Sequence, residues 1–500
     1  MTTDSESAAP GQTATAKPPA ITPNWLLIAV GFAVFLGALD QTVVVTLLEP
    51  ILNGVNVPID QFYRAAWIVN GYILGYVVAM PLMGRIADVY GHSRVFLAAL
   101  FIFLVGSLWV SACHGLTMLI VARAVQALGA GALVPVSMAI VAEHVPPERR
   151  ALSFGLLGAA AEGGGLLGPL WGGTLVEWLG WRGHFWVNVP LALPVAFIVF
   201  KFSHDKKHER IPVDYVGGIL LAGALTTLAI ALTDDPVAAR PVWLNVALYI
   251  SAAVFALAFI WRERVAKTPM LALSLFRSVV FAAGNFTHML MGGGLIVAMV
   301  SVPVFTIAVL KGSYFMGGLN LMRLTVMLPV GAIAGGYLAG WFGYNRTAAM
   351  GMAISGVGFF FMHFWSVDIG DPWFTLNLML TGLGFGLVIA PISAAVINSV
   401  AETERATASA LLTVMRLVGM LVGVALLTAH GLGHFYQLAG TVPLDDPNYT
   451  DTLKGLEVGS FQDIFLVAAI VCVAAAVPAL LIGRGVARRF KWTEIWRAPH

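Results

Sequence analysis

Gly84-Arg85-Ile86-Ala87-Asp88-Val89-Tyr90-Gly91-His92-Ser93-Arg94 is a short charged stretch between two long apolar runs, and the chain uses its pattern twice. From 336 to 346 the sequence reads Gly-Tyr-Leu-Ala-Gly-Trp-Phe-Gly-Tyr-Asn-Arg, so Gly84, Ala87, Gly91 and Arg94 return as Gly336, Ala339, Gly343 and Arg346. A second set supports the first: Pro135, Ser137, Glu148 and Arg149 reappear as Pro391, Ser393, Glu404 and Arg405. The chain therefore reads as two copies of one helical unit.

Composition says where such a unit lives. Hydrophobic residues make up 59% of the 500 residues and charged residues 11%, against about 25% charged in soluble domains. This is the balance of an integral membrane protein, because each crossing needs about 20 apolar residues. Punctuation of the apolar runs predicts fourteen transmembrane helices, from 24–48 to 461–483, in an all-α fold. The copies are spaced further apart than six helices require. The expected organisation is thus a tail at 1–23, a six-helix bundle at 24–202, a linker at 203–278 with two inserted helices, a second bundle at 279–483 and a tail at 484–500. The first tail is rich in Ser, Thr, Ala and Pro and lacks the pattern of a cleavable signal. It reads as disordered.

Lys and Arg orient the chain. Arg64, Arg182, Arg240, Lys311 and Lys454 fall on one side, Arg123, Arg323 and Arg416 fall inside spans, and the rest of the 28 lie with the termini. The positive-inside rule then puts both termini in the cytoplasm of a multi-pass inner-membrane protein. A net charge of +2 gives no reason to expect a nucleic-acid partner, and two cysteines, Cys113 and Cys472, both in apolar runs, imply neither a disulfide framework nor a thiolate metal site. No metal site or cofactor is expected. Nor is enzyme chemistry, since no His-Glu-x-x-His, Cys pair or phosphate-binding loop occurs.

Charged groups inside the apolar runs are costly and mark ion or proton pathways. Two are acids, Asp40 in Leu36-Gly-Ala-Leu-Asp40 and Glu162 in Ala159-Ala-Ala-Glu162-Gly-Gly-Gly165. The glycines beside Glu162 let another helix come close, so this acid is expected to face the bundle interior. Three are bases, Arg123, Arg323 and Arg416, for which Asp40 and Glu162 are the first candidate partners. These five form the expected proton-coupling set. The run from Ala406 past Tyr436 has no Pro. As a helix it would be about 45 Å long, projecting from the bilayer ahead of an acidic loop at 441–460. Asp88 has the character of a helix N-cap.

Gly84 to Arg94, with its echo, resembles the loop between helices 2 and 3 of the major facilitator superfamily, and this resemblance covers nearly the whole chain. It implies two six-helix bundles around a substrate cavity and a conformational switch built from Gly84, Arg85, Asp88, Gly91 and Arg94, with Asp88 docking on the start of span 13 near Ala406. Arg123 in Arg-Ala-Val-Gln-Ala-Leu-Gly129 is similar to that superfamily's span 4 arginine. Gly168 and Pro169, in Leu167-Gly-Pro-Leu-Trp-Gly-Gly173, resemble the Gly-Pro signature of its antiporters and join the switch set. Trp181-Arg-Gly-His-Phe-Trp-Val-Asn-Val-Pro190 looks like a signature of the fourteen-helix drug:proton antiporters, read physically as an aromatic belt with a polar anchor.

A narrower resemblance is to the mycobacterial branch that exports triacylglycerol or related lipids with a periplasmic lipoprotein. It is carried by Val43-Val-Val-Thr46, Val57-Pro-Ile-Asp-Gln-Phe-Tyr-Arg64, Gly71-Tyr-Ile-Leu-Gly-Tyr-Val-Val-Ala-Met-Pro81, Val213-Asp-Tyr-Val-Gly-Gly218 and Met415-Arg-Leu-Val-Gly-Met-Leu-Val-Gly423. Val45 stands where drug antiporters usually have Asn. The expected function is proton-coupled export of lipophilic or amphipathic molecules, drugs or lipids, by a monomer, with the lipoprotein as partner. Asn70, Tyr72, Asn285, Thr287 and His288 are the candidate cavity contacts. The alternative is a facilitator or symporter importing a small polar solute, which would call for a more polar cavity.

Overall fold

The computed structural model describes residues 24–484 apart from 58–63, 204–212, 234–239, 267–268, 272, 402–403 and most of 428–448. The two expected tails, apart from Arg484, and most of the Val57–Arg64 motif lie outside the described residues. Among those described there are helices and no strands. They are α1 (Asn24–Gly54), α2 (Ala66–Tyr90), α3 (His92–Ala112), α4 (Leu116–His144), α5 (Pro147–Phe202), α6 (Tyr215–Leu232), α7 (Val242–Val265), α8 (Val279–Ala308), α9 (Tyr314–Thr325), α10 (Met327–Phe342), α11 (Tyr344–Met362), α12 (Trp373–Asn398), α13 (Arg405–Leu427) and α14 (Tyr449–Ala479), with a 3₁₀ turn at Leu273–Arg277.

Twelve of the described helical stretches are long and apolar enough to cross a membrane, with α9 and α10 counted as one. The 56-residue α5 counts once although Gly180, at φ 67° and ψ 172°, breaks it into two rods. The 19-residue α11 is not among the twelve.

The repeat seen in the sequence reappears as packing. In the first half α1 lies on α5, and α2 and α3 on α4; in the second α8 lies on α13, and α10 and α11 on α12. The halves meet where α5 touches α9, α2 touches α13 and α1 touches α8. The α6/α7 pair packs on itself, and α6 leans on both α2 and α13, one helix from each half.

The motif that recurs is not the loop expected from its charges. In each copy a single glycine joins two helices: Gly91 at φ 103°, ψ 135° and Gly343 at φ 86°, ψ 162°. Both amides bond back to the alanine four residues earlier, Gly91 to the Ala87 carbonyl and Gly343 to the Ala339 carbonyl, each at 3.0 Å. Positive φ costs an L residue about 1–2 kcal/mol, which is why both copies keep glycine there.

Two further expectations change. Residues 449–460, read as acidic loop, form the first turns of α14, and α13 is described only to Leu427, so the projection expected beyond it lies outside the described residues. Asp88 is no N-cap: it sits in the last turn of α2, and α3 starts at His92, after Gly91, without a side-chain cap.

Candidate functional site

The polar centre of the first half is assembled from four helices. Asp40 of α1 is fully buried, and Arg123 of α4 donates through Nη1 to its Oδ2 at 2.5 Å. Arg123 also donates to the Asp40 carbonyl at 3.2 Å and to Gln126 Oε1 at 2.7 Å. From the second rod of α5, Asn188 donates to Asp40 Oδ1 at 3.0 Å and His184 places Nε2 3.2 Å from the same oxygen. Ser107 of α3 closes the network, accepting from Gln126 at 2.6 Å and from Asn188 at 3.0 Å. The guanidinium carbon stands 4.1 Å above the Tyr72 ring, whose hydroxyl donates to the Gly37 carbonyl at 3.0 Å. A buried carboxylate is tolerated only when paired and hydrogen-bonded, and this one is both.

Sequence reading found Asp40 and Arg123 but not Gln126, Ser107, His184 or Asn188. A signal was available. His184 and Asn188 are one helical turn apart in an apolar run, and Gln126 is three residues after Arg123, so each pair shares a helix face. The Trp181–Pro190 signature thus reaches into the polar centre. Its opening residues are not a belt either: Trp181 is buried, and Arg182 donates to the carbonyls of Ser111 and Cys113 at 3.1 and 2.9 Å, tying α5 to the end of α3.

The second acid behaves differently. Glu162 is 55% exposed at its side chain and accepts from Arg416 of α13 at 3.1 Å. It faces the other half of the molecule rather than the interior of its own bundle. Arg323 is not brought to either acid; it bonds Asp371 at 3.2 Å and Thr375 at 2.7 Å near the ends of α9 and α12. Asp371 lies outside the spans, and the Thr375 hydroxyl, with Arg323, holds its carboxyl below the usual carboxylate range.

The expected cavity contacts are all packed inside. Asn285 and Thr287 donate to carbonyls of their own helix, at Phe281 and Ala283. Asn70 is buried with neither amide atom partnered among the described residues, and His288 faces the Leu412 carbonyl of α13 through Nδ1 at 2.8 Å, with Nε2 likewise unpartnered among them. All five, Tyr72 included, are buried. A cavity of about 630 Å³ lies away from both acids, lined by Lys311, Ser366, Asp451, Lys454, Glu457 and Gln462.

The switch residues sit where α2 meets α3. Asp88 pairs with Arg85 at 4.0 Å and with His92 Nε2 at 3.4 Å, while His92 Nδ1 faces Glu143 of α4 at 2.8 Å. Among the described residues the partners of Asp88 lie on its own helix and on α3, and none is at the start of α13, where it was expected to dock. Gly84 packs near Pro135, and Arg94 is exposed. Gly168 lies against α1, where a Cβ would overlap the Thr42 hydroxyl, and the Pro169 carbonyl accepts from Thr46 at 3.2 Å.

Two repeated helical bundles of membrane-length helices, with ion pairs within and between them, are the architecture of a multi-pass membrane protein. Residues 30–424 match the Major Facilitator Superfamily, and the chain belongs to that family. It is 38% identical over 484 residues to a triacylglyceride transporter of Mycobacterium tuberculosis, covering 90% of this chain and 92% of that one. It is 36% identical over 491 residues to a triacylglyceride transporter of Mycolicibacterium smegmatis, covering 92% and 87%. Among solved structures, a bacterial homologue of the human lysosomal transporter Spinster, inward-facing and occupied, superposes with a TM-score of 0.62 at 15% identity over 93% of this chain and 97% of that one. A D-xylose–proton symporter gives 0.60 at 13% identity over 90% and 97%.

Proposed function

We propose that this chain is a proton-coupled exporter of lipophilic or amphipathic molecules, with triacylglycerol-like lipids as the substrate class. The observation that carries the coupling is the Glu162–Arg416 ion pair, which joins the halves and leaves the carboxylate half in the open. Alternating access moves the halves past each other and must break such a bridge. A proton on Glu162 removes the charge that Arg416 holds, so protonation and release favour different arrangements. The buried Asp40–Arg123 centre is the second station for proton exchange. The likeness to triacylglyceride transporters over nine-tenths of the chain supports the substrate class.

In this reading the rods of α5 cross separately and α11 crosses as well, giving fourteen crossings in two six-helix bundles at 24–202 and 279–483 with α6 and α7 inserted between. Both termini are cytoplasmic, the membrane is the inner one, a single chain transports, and a periplasmic lipoprotein receives the cargo. Gly84, Arg85, Gly91, Arg94, Gly168 and Pro169 belong to the moving joints, with Asp88 acting through His92.

The test is reconstitution in vesicles loaded with triolein, with an entrapped pH indicator. Wild-type protein is expected to move protons when triolein moves, and Asp40→Asn and Glu162→Gln are expected to abolish that flux while remaining folded. Equal proton flux in wild type and both variants would sink the proposal.

A further inference from the structure

We infer that the coupling proton in the first half rests on Nδ1 of His184, with the Asp40–Arg123 pair serving as its fixed counter-charge. The inference rests on the proton-coupled reading above and names the atom that it leaves open. Every group in the buried centre can be sorted by what it is able to accept. The Asp40 oxygens already face Arg123, Asn188 and His184. Arg123 has no lone pair to offer at any pH that a protein meets. Gln126, Ser107 and Asn188 do not titrate.

His184 is different. It is fully buried, and Nε2 faces a carboxylate oxygen, which can only accept, so Nε2 carries the hydrogen of the neutral ring. Nδ1 is then a bare lone pair, and it has no hydrogen-bond partner among the described residues. Imidazole is also the side chain whose ordinary titration falls between about pH 5 and 8. The charged and titratable groups around it are Asp40 from α1, Arg123 from α4 and, beneath the guanidinium, Tyr72 from α2; α3 contributes the uncharged Ser107.

The step balances without any other reagent. A hydronium ion loses one O–H bond and leaves water, an N–H bond forms at Nδ1, and no electron is transferred. With the ring neutral the centre holds one negative and one positive charge. With the ring protonated it holds one negative and two positive, and imidazolium and guanidinium compete for one carboxylate. That competition loosens α4 from α1 and favours an arrangement in which the centre reaches water, so proton binding is converted into movement of helices. Discharge to water on the other side restores the pair. His184 lies one turn beyond the break at Gly180, at the start of the second rod of α5.

The test uses full-length protein in vesicles with triolein as cargo and an entrapped pH indicator, across about pH 5 to 8. His184→Gln keeps an amide donor toward Asp40 and removes the titrating base. It is expected to fold, to lose proton flux by at least about tenfold, comparable with the loss of a positioned acid–base group, and to flatten the pH profile. If His184→Gln shows the wild-type flux and profile, the ring is only a hydrogen-bond donor and the inference is overturned. If Asp40→Asn loses flux while His184→Gln keeps it, His184 alone is overturned and the coupled reading stands; if wild type moves no protons, both fall.

Should the Gln variant not fold, proton release from detergent-purified wild type on adding triolein decides the matter. Release accompanied by a change in the histidine-ring nitrogen NMR signals supports His184, and release with those signals unchanged overturns it.

Discussion

At the scale of single residues, the two acids predict opposite consequences of the same conservative change. Asp40→Asn leaves the buried Arg123 without its counter-charge, and breaking such a pair costs about 3–5 kcal/mol. The expected result is a clear fall in the thermal unfolding midpoint in detergent, largely recovered when Arg123→Met is added, because the apolar replacement removes the orphaned charge. Glu162→Gln breaks a pair whose carboxylate is 55% exposed; its effect on the midpoint is expected to correspond to no more than about 1 kcal/mol. If Asp40→Asn unfolds no sooner than Glu162→Gln, the buried network does not hold this half together. Both acids were legible as charges in apolar runs. Their charged partners were narrowed to three arginines, but which arginine meets which acid, and the uncharged partners of Asp40, were not legible, because a span's sequence shows which residues share its face but not which helix that face meets.

At the scale of elements, the long first rod of α5 is organised by glycines whose roles differ with position. A Cβ at Gly168 would meet the Thr42 hydroxyl and, at 2.8 Å, the Leu39 carbonyl of α1, whereas one at Gly158 would meet nothing within 4 Å. Gly168→Ala is therefore expected to destabilise by about 1–3 kcal/mol through overpacking. Gly158→Ala should be neutral or stabilising by about 0.5–1 kcal/mol from helix propensity alone. Equal unfolding midpoints for the two variants would contradict the tight α1–α5 packing. The sequence marked Gly168 and Pro169 by resemblance, but it could not say that the neighbour is α1 or that Thr46 bonds the Pro169 carbonyl. The start of α14 was misread for a related reason: charge and polarity at 449–460 suit both a loop and a helix extending beyond the bilayer.

At the scale of the whole molecule, the seam between α5 and α9 holds the halves together at the end away from the termini. Gly318 of α9 lies against the Pro169 carbonyl, and Glu177 of α5 accepts from the Phe315 amide in the first turn of α9 at 3.1 Å. Gly318→Leu should push these helices toward the ~8–10 Å axial spacing of side-chain-filled crossings. Spin labels at Trp178 and Met316, both exposed, should then report a population of longer distances, and an unchanged distribution would refute the seam's role. The membrane class, the doubling of one helical unit and the superfamily were all determined by the sequence alone, since apolar length, glycine spacing and repetition are properties of a single strand of text. Only the tertiary structure decided that Asp40 is sealed with His184 and Asn188 inside one half while Glu162 reaches Arg416 of the other. That division follows from helix rotation and pairing, which are set by close packing between elements far apart in the chain.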